Sequence, residues 1–332
     1  MKKFLALTMA LCMIFAMCAF SASADEPITL TYAEVNPLDG TTVGDMAKAF
    51  KEKVEELSGG QVLIDIQASG VLGSEDQILD NLLGYGNICD ISRISAFALT
   101  QYGCDKASLL SIPYTFVNED HFWKFADSEL AQEFLNEPQE IGLPLRGLCY
   151  GEEGFRHFFF KNEVKGLEDL KGLKIRVSSD PVMTGMVTNL GASATSVPFT
   201  ELYSALNTGV VDGAEQPTAN YRSNAFQEVA PYLLLDGHTL GALQIVISDA
   251  GWAKLNEEQQ GWIMEAAKYA SSVCREKVAE NEQKTFDQLK EDGATVIPVE
   301  DKTPWIEACQ PTIKANTEKL ADLYQQILDM AK

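Results

Sequence analysis

Arginine is scarce in this chain. Of 26 basic residues only six, Arg93, Arg146, Arg156, Arg176, Arg222 and Arg275, are arginines; the other 20 are lysines. Lysine is the ordinary solvated surface charge, whereas the planar guanidinium suits bidentate recognition of a carboxylate, so each arginine calls for a reason. Histidine is scarcer still: His121, His157 and His238 stand far apart, with no metal-ligand spacing. No nucleophile elbow or phosphate loop is present. Glu152 and Glu153 are adjacent, and neighbours on a strand face opposite sides, so they cannot flank one scissile bond. Structural or solvated roles follow for these residues, and the chain reads as a binding protein without cofactor or metal, not as an enzyme.

Cysteine is equally uninformative as chemistry. Five of the seven, Cys89, Cys104, Cys149, Cys274 and Cys309, lie beyond the N-terminal segment, without a C-x-x-C or a neighbouring histidine. That excludes zinc and redox motifs. An odd number is no complete disulfide framework, so most are expected as small buried hydrophobes, with one unassigned bridge left open. Long apolar runs are absent after the N-terminus, so no later segment reaches the ~18 residues of a membrane helix. At the N-terminus, Lys2 and Lys3, the apolar run Phe4 to Phe20 and the small-residue end Ser21 to Ala24 make residues 1–24 a signal peptide. An uncleaved anchor, or lipidation at Cys12 or Cys18, is the alternative; Leu11 and Met17 are large where a lipidation site wants a small residue. The rest of the chain is expected outside the cytoplasmic membrane, in the periplasm or on its extracellular face. Without Lys2 and Lys3, 24 basic residues face 48 acidic ones. Such a surface repels nucleic acid and anionic lipid.

What is present is a 332-residue chain, 46% hydrophobic, about twice the usual single-domain length, so two domains are expected. Ile28 to Ala33 alternates as a strand, Asp45 to Leu57 as an amphipathic helix ending at Ser58-Gly59-Gly60, and Val62 to Ile66 as a second strand, the opening of a parallel sheet. Ser74 is placed to cap the helix that follows. Ile88 to Ile94 reads as a short strand holding Arg93, which an edge position or Asp90 would satisfy. Asp120 to Phe134 reads as an aromatic-rich helix. Arg156 lies among the aromatics of Gly151 to Phe160, where stacking is the plain alternative to ligand binding, and a change of composition before Gly151 marks a domain crossing. Strands are expected at Ile175 to Val177, Ala194 to Val197, Val210 to Ala214, Leu240 to Ile247 and Val296 to Pro298. Helices are expected from Pro181 to Leu190, from Glu201 to Thr208 and from Pro311 to Ala331. One long helix from Asn256 to Asp292 exceeds what one small domain needs. Arg176, set between Ile175 and Val177, is a charge in an apolar strand, costly unless an anion meets it. That anion is read as a ligand carboxylate, and Arg176, Phe199 and Gln216 all fall at strand ends, where ligands of open α/β sheets collect.

DLKGLKIRV (Asp169 to Val177), LGASATSVPFTELYSALNTGVVDGAEQP (Leu190 to Pro217), SGVLGSEDQIL (Ser69 to Leu79) and LLSIPYTF (Leu109 to Phe116) together resemble the DctP-type extracytoplasmic solute receptors of TRAP transporters. The resemblance runs from about Asp25 to the C-terminus. It implies an α/β, bilobed, periplasmic-binding-protein-like fold: two α/β domains around a ligand cleft, with a long helix across both. The lobes implied are 25–149 plus about 242–281, and 150–241 plus about 282–332. By the same resemblance Arg176 clamps the ligand carboxylate, Arg156 is a second arginine, and Phe199 is an aromatic facing the ligand. Gln216 takes the place of an asparagine, a longer amide with a different reach. From the first lobe, Glu34, Asn36 and Glu75 match ligand-contacting positions, and Arg93 matches a more variable one. The implied partners are a small organic anion and TRAP membrane permease subunits driven by an ion gradient, with the receptor a monomer. Three arginines with several acceptors fit a polyhydroxylated acid such as a uronate better than a plain C4-dicarboxylate. A binding protein of an ATP-driven importer, a sensor module and a secreted enzyme acting on acidic sugars are the rival readings.

Overall fold

Alternating residues over Ile28–Ala33 (β1) and Val62–Gln67 (β2) make two parallel strands, in register from Ile28 opposite Val62 to Ala33 opposite Gln67. The computed structural model describes residues 26–332, and the signal segment expected over 1–24 lies outside the described residues. Between β1 and β2, the helix Thr42–Leu57 starts earlier than its apolar periodicity suggests, because the Thr41 hydroxyl accepts from Gly44 N and caps it there. The third strand is Ile91–Ser95 (β3). Two long strands follow, Leu145–Phe160 (β4) and Tyr232–Ser248 (β8). Between them in sequence lie Lys174–Val177 (β5), Ser193–Ser196 (β6) and Gly213–Pro217 (β7), and Thr295–Pro298 (β9) comes last. The sheet runs β2-β1-β3-β8-β4-β7-β5-β6, with β9 also pairing β8.

This order divides the molecule into two lobes. β4 pairs with the C-terminal half of β8 over Leu145 to Glu152 and with its N-terminal half over Phe155 to Phe160, with a register shift between Glu152 and Phe155. Gly154, at φ +83°, supplies the left-handed backbone at that shift, a conformation other residues adopt at a cost. The first lobe gathers β1 to β3, and the second β5 to β7 and β9. The helix Glu257–Glu291, capped reciprocally by Asn256 and Gln259, is 35 residues, about 52 Å at ~1.5 Å per residue. It buries Ile263, Ala266, Ala270 and Cys274 in the first-lobe core and Leu289 in a second-lobe core, so one rigid rod braces both.

Several local expectations are corrected. The strand expected over Val210 to Ala214 is Gly213–Pro217: Gly209 ends the preceding helix in a left-handed turn, and Val210 N and Val211 N donate back to Ala205 O, so the chain enters the sheet three residues later. Gln216 is therefore inside a strand, not beyond its end. The helix expected over Asp120 to Phe134 is two, Glu119–Ala126 and Glu129–Glu140, because the Ser128 hydroxyl caps a new start. The closing helix expected from Pro311 begins at Thr303 and runs to Thr317 with Pro311 inside it, and a separate helix, Ala321–Asp329, follows. Trp305 and Cys309 of this segment are buried in the second-lobe core, but Ile327 is buried in the first, so the chain end crosses back. All five described cysteines are buried and unpaired.

Candidate ligand site

Between the lobes lies a cavity with ≈ 530 Å³ of empty space, open solvent included, walled by Asn36, Glu75 and Arg93 from the first lobe and by Arg156, Arg176, Phe199 and Gln216 from the second. Each wall residue is delivered by its element. The Ser74 capping box starts the helix that presents Glu75 in its first turn, and Glu75 Oε1 accepts from Ser95 N at 2.7 Å. β3 carries Arg93, β4 carries Arg156, β5 carries Arg176 and β7 carries Gln216. Phe199 follows β6 and presents its ring 6.0 Å from the Arg176 guanidinium carbon. Of the eight residues singled out in the sequence, Glu34 alone is not on the cavity wall. It lies behind Arg93, receiving Arg93 Nε at 2.8 Å and a second, shorter bond from Arg93 Nη2, while Asn36 N donates to it at 2.8 Å. Glu34 thus holds Arg93 in place from behind the wall.

The six arginines separate sharply by partner. Arg93 pairs with Glu34 (not Asp90, which holds Lys254), Arg146 with Asp249, Arg156 with Glu215, Arg222 with Asp292 and Arg275 with Asp127. Arg156 donates through Nη2 to Glu215 Oε1 at 3.0 Å and lies over the Phe97 ring. Arg176 has no carboxylate partner among the described residues. Its Nε donates to Val197 O at 2.8 Å, and its buried Nη1 has no partner in the protein. Burial lowers its pKa to about 10, Glu215 acting against this and Arg156 with it. A guanidinium only 3% exposed and still cationic is in place to receive an anion.

Behind Arg156 stands a buried charged cluster. Burial alone would raise the Glu215 carboxyl, but Arg156 and His238 outweigh it and hold the group down to about 2. His238 Nδ1 shares a 2.6 Å hydrogen bond with Asp236 Oδ2, and the ring stacks on Phe158. Against the cost of burial, Asp236 and Glu215 raise His238 to about 9. His157 accepts from Gly237 N instead and is pushed down to about 4 by burial.

Sequence reasoning missed ten cavity residues, among them Asp76, Glu153, Ser179 and Asn220. Glu152 and Glu153 do face opposite ways, as strand geometry requires. Glu152 accepts from Trp123 Nε1 at 3.0 Å away from the cavity, whereas Glu153 lines the cavity and accepts from Asn220 Nδ2 at 2.9 Å. The alternation that argued against a catalytic pair was itself a signal that one of the two looks inward. Asp76 and Ser179 hydrogen-bond across the cleft, Ser179 Oγ donating to Asp76 Oδ2 at 3.0 Å, a contact that no local pattern encodes.

Comparison with known proteins agrees with this geometry. The family described as bacterial extracellular solute-binding protein, family 7 (DctP), matches residues 33–320. The 2,3-diketo-L-gulonate-binding periplasmic protein YiaO of Escherichia coli is 29% identical over 298 residues, 89% of this chain and 88% of that protein. The crystal structure of a TRAP periplasmic solute-binding protein from Pseudomonas putida F1 with bound D-glucuronate superposes with a TM-score of 0.85 at 29% identity, covering 90% of this chain and 96% of that one. A second, from Bradyrhizobium sp. BTAi1 in complex with D-galacturonate, gives 0.85 at 30% identity, covering 91% and 99%. By family model and by fold, the chain belongs to bacterial extracellular solute-binding protein family 7, the DctP-type solute receptors of TRAP transporters.

Proposed function

We propose that the chain is an exported TRAP receptor for a sugar acid such as a uronate, held by its carboxylate at Arg176 and handed to membrane permease subunits driven by an ion gradient. The observation that carries this is the buried Arg176 guanidinium, the one arginine of six without a carboxylate partner among the described residues. A carboxylate meeting it in a closed cleft makes a charge-assisted bidentate pair, and closing without one leaves the charge uncompensated. Ligand binding thereby favours the closed arrangement over an open one. Arg93 and Arg156 serve as hydrogen-bonding walls, their charges already met by Glu34 and Glu215. Phe199 packs beside the clamp, and Gln216, Asn36 and Glu75 are acceptors for hydroxyls. The likeness to receptors bound to D-glucuronate and D-galacturonate supports the same ligand class.

Isothermal titration with D-glucuronate, D-galacturonate and succinate tests the reading. At least one uronate should bind, and Arg176→Lys should weaken it by ~10-fold or more, because an ammonium cannot reproduce the two-pronged geometry. Unchanged affinity would remove Arg176 from its role; succinate binding without any sugar-acid binding would overturn the ligand class.

A further inference from the structure

Glu153 is the cavity residue whose chemistry fits the carboxylate clamp least. It is 6% exposed, its Oε2 accepts from Asn220 Nδ2 at 2.9 Å, and its Oε1 stands 3.9 Å from Arg156 Nη1, beyond hydrogen-bond length. Arg156 already gives two hydrogen bonds to Glu215, and Arg93 two to Glu34, so neither guanidinium is free to neutralise Glu153 fully. Asn220, 2% exposed and on the same wall, has a buried Oδ1 without a protein partner. Glu75 and Asp76, from the opposite lobe, add two more carboxylates to the cavity. Away from Arg176, beside the already paired guanidinium groups of Arg93 and Arg156, the walls present acceptors: a carboxylate and an amide oxygen on one side, two carboxylates on the other. Gly241 fixes the stem of Glu153: a Cβ at Gly241 would lie 2.8 Å from Glu153 Cγ and 2.9 Å from Gly154 O, so the side chain packs directly on bare backbone.

We infer that Glu153 is a specificity-determining residue: with Asn220 it accepts hydrogen bonds from ligand hydroxyls and excludes acids whose far end is a second carboxylate. This rests on the sugar-acid reading of the same site. A hydroxyl brings the donor that Glu153 Oε1 and Asn220 Oδ1 lack, whereas a second carboxylate brings only acceptors and a like charge. Exclusion by an unfavourable contact is a common source of discrimination between ligands that share one anchoring group.

The experiment is titration of wild-type protein, Glu153→Gln and Glu153→Asp with D-glucuronate, D-galacturonate and succinate, with circular dichroism to establish folding. Wild-type protein should prefer a uronate over succinate. Glu153→Gln, which removes the charge and keeps the shape, should narrow that preference by about tenfold or more, mainly through tighter succinate binding. Glu153→Asp keeps the charge and shortens the reach, so it should weaken uronate binding while still rejecting succinate. Equal weakening of all three acids in Glu153→Gln, or a preference unchanged in both variants, would overturn the assignment while leaving the sugar-acid reading intact. Should Glu153→Gln not fold, a Glu153→Asp variant that admits succinate would overturn it equally. Wild-type protein that binds succinate and no uronate would sink the sugar-acid reading itself, a result visible before any variant is compared.

Discussion

Arg176 is maintained at a cost to the free protein. It is buried with one nitrogen unpartnered, and burial has already shifted its pKa to about 10. A buried charge without a carboxylate partner is a place where binding and stability pull apart. Arg176→Gln should therefore raise the thermal midpoint of the ligand-free protein by ~2–4 °C while abolishing measurable uronate binding. Differential scanning fluorimetry without ligand reads the first effect and titration the second. A lower midpoint in the variant would mean that the Val197 bond and packing contribute more than the buried charge costs. Glu34 shows the reverse economy: its lone pairs are taken by Arg93 and Asn36, so it shapes the wall without facing the cavity.

At the scale of elements, β4, β7 and β8 meet around the buried cluster. Arg156 comes from β4, Glu215 from β7, and Asp236 and His238 from β8, and their pairing ties the two long strands to the ligand wall. The pH dependence follows from the shifts. His238 has a folded pKa of about 9 against the ordinary 6.5, so its contribution is complete below about 6.5 and is lost as pH rises through about 9. Glu215, held at about 2 against 4.5, contributes above about 4.5 and loses that contribution as pH falls towards 2. In urea unfolding, wild-type protein should exceed His238→Gln in midpoint at pH 6, and the gap should shrink at pH 10. A gap of constant size across that range would show that the imidazolium charge contributes nothing.

At the scale of the molecule, the two lobes are held together on both sides of the cavity. Ser179 Oγ donates to Asp76 Oδ2 at 3.0 Å, and Asn224 Nδ2 to Asn36 Oδ1 at 3.2 Å, each pair joining the second lobe to the first. Bonds of this kind form only when the lobes have come together, so they slow release more than they speed capture. Ser179→Ala should accelerate uronate dissociation by about three- to tenfold, with the association rate nearly unchanged, by stopped-flow fluorescence. A matched fall in association rate would assign Ser179 to the encounter instead of the closed form. Among the described residues no helix is long and apolar enough to cross a membrane.

Most elements were legible from residues alone. Period-two and period-3.6 patterns are local, and so are caps such as Ser74 and stops such as Gly191, which is why the strand and helix alternation and the 35-residue helix can be read directly. Arg176 was legible for a related reason: a charge between Ile175 and Val177 is anomalous within four residues of sequence. What local pattern cannot carry is who answers a charge. Arg93 with Glu34 and Arg156 with Glu215 are each 59 residues apart, and only the folded sheet brings them together. From sequence, Arg176 reads as the carboxylate clamp, with Arg156 as a second arginine and Arg93 at a more variable position, and Glu34 as an acceptor for ligand hydroxyls. Tertiary structure left Arg176 without a carboxylate partner among the described residues and turned Glu153 towards the cavity, because the cost of a buried charge depends on every neighbour in space and not on its neighbours in the chain.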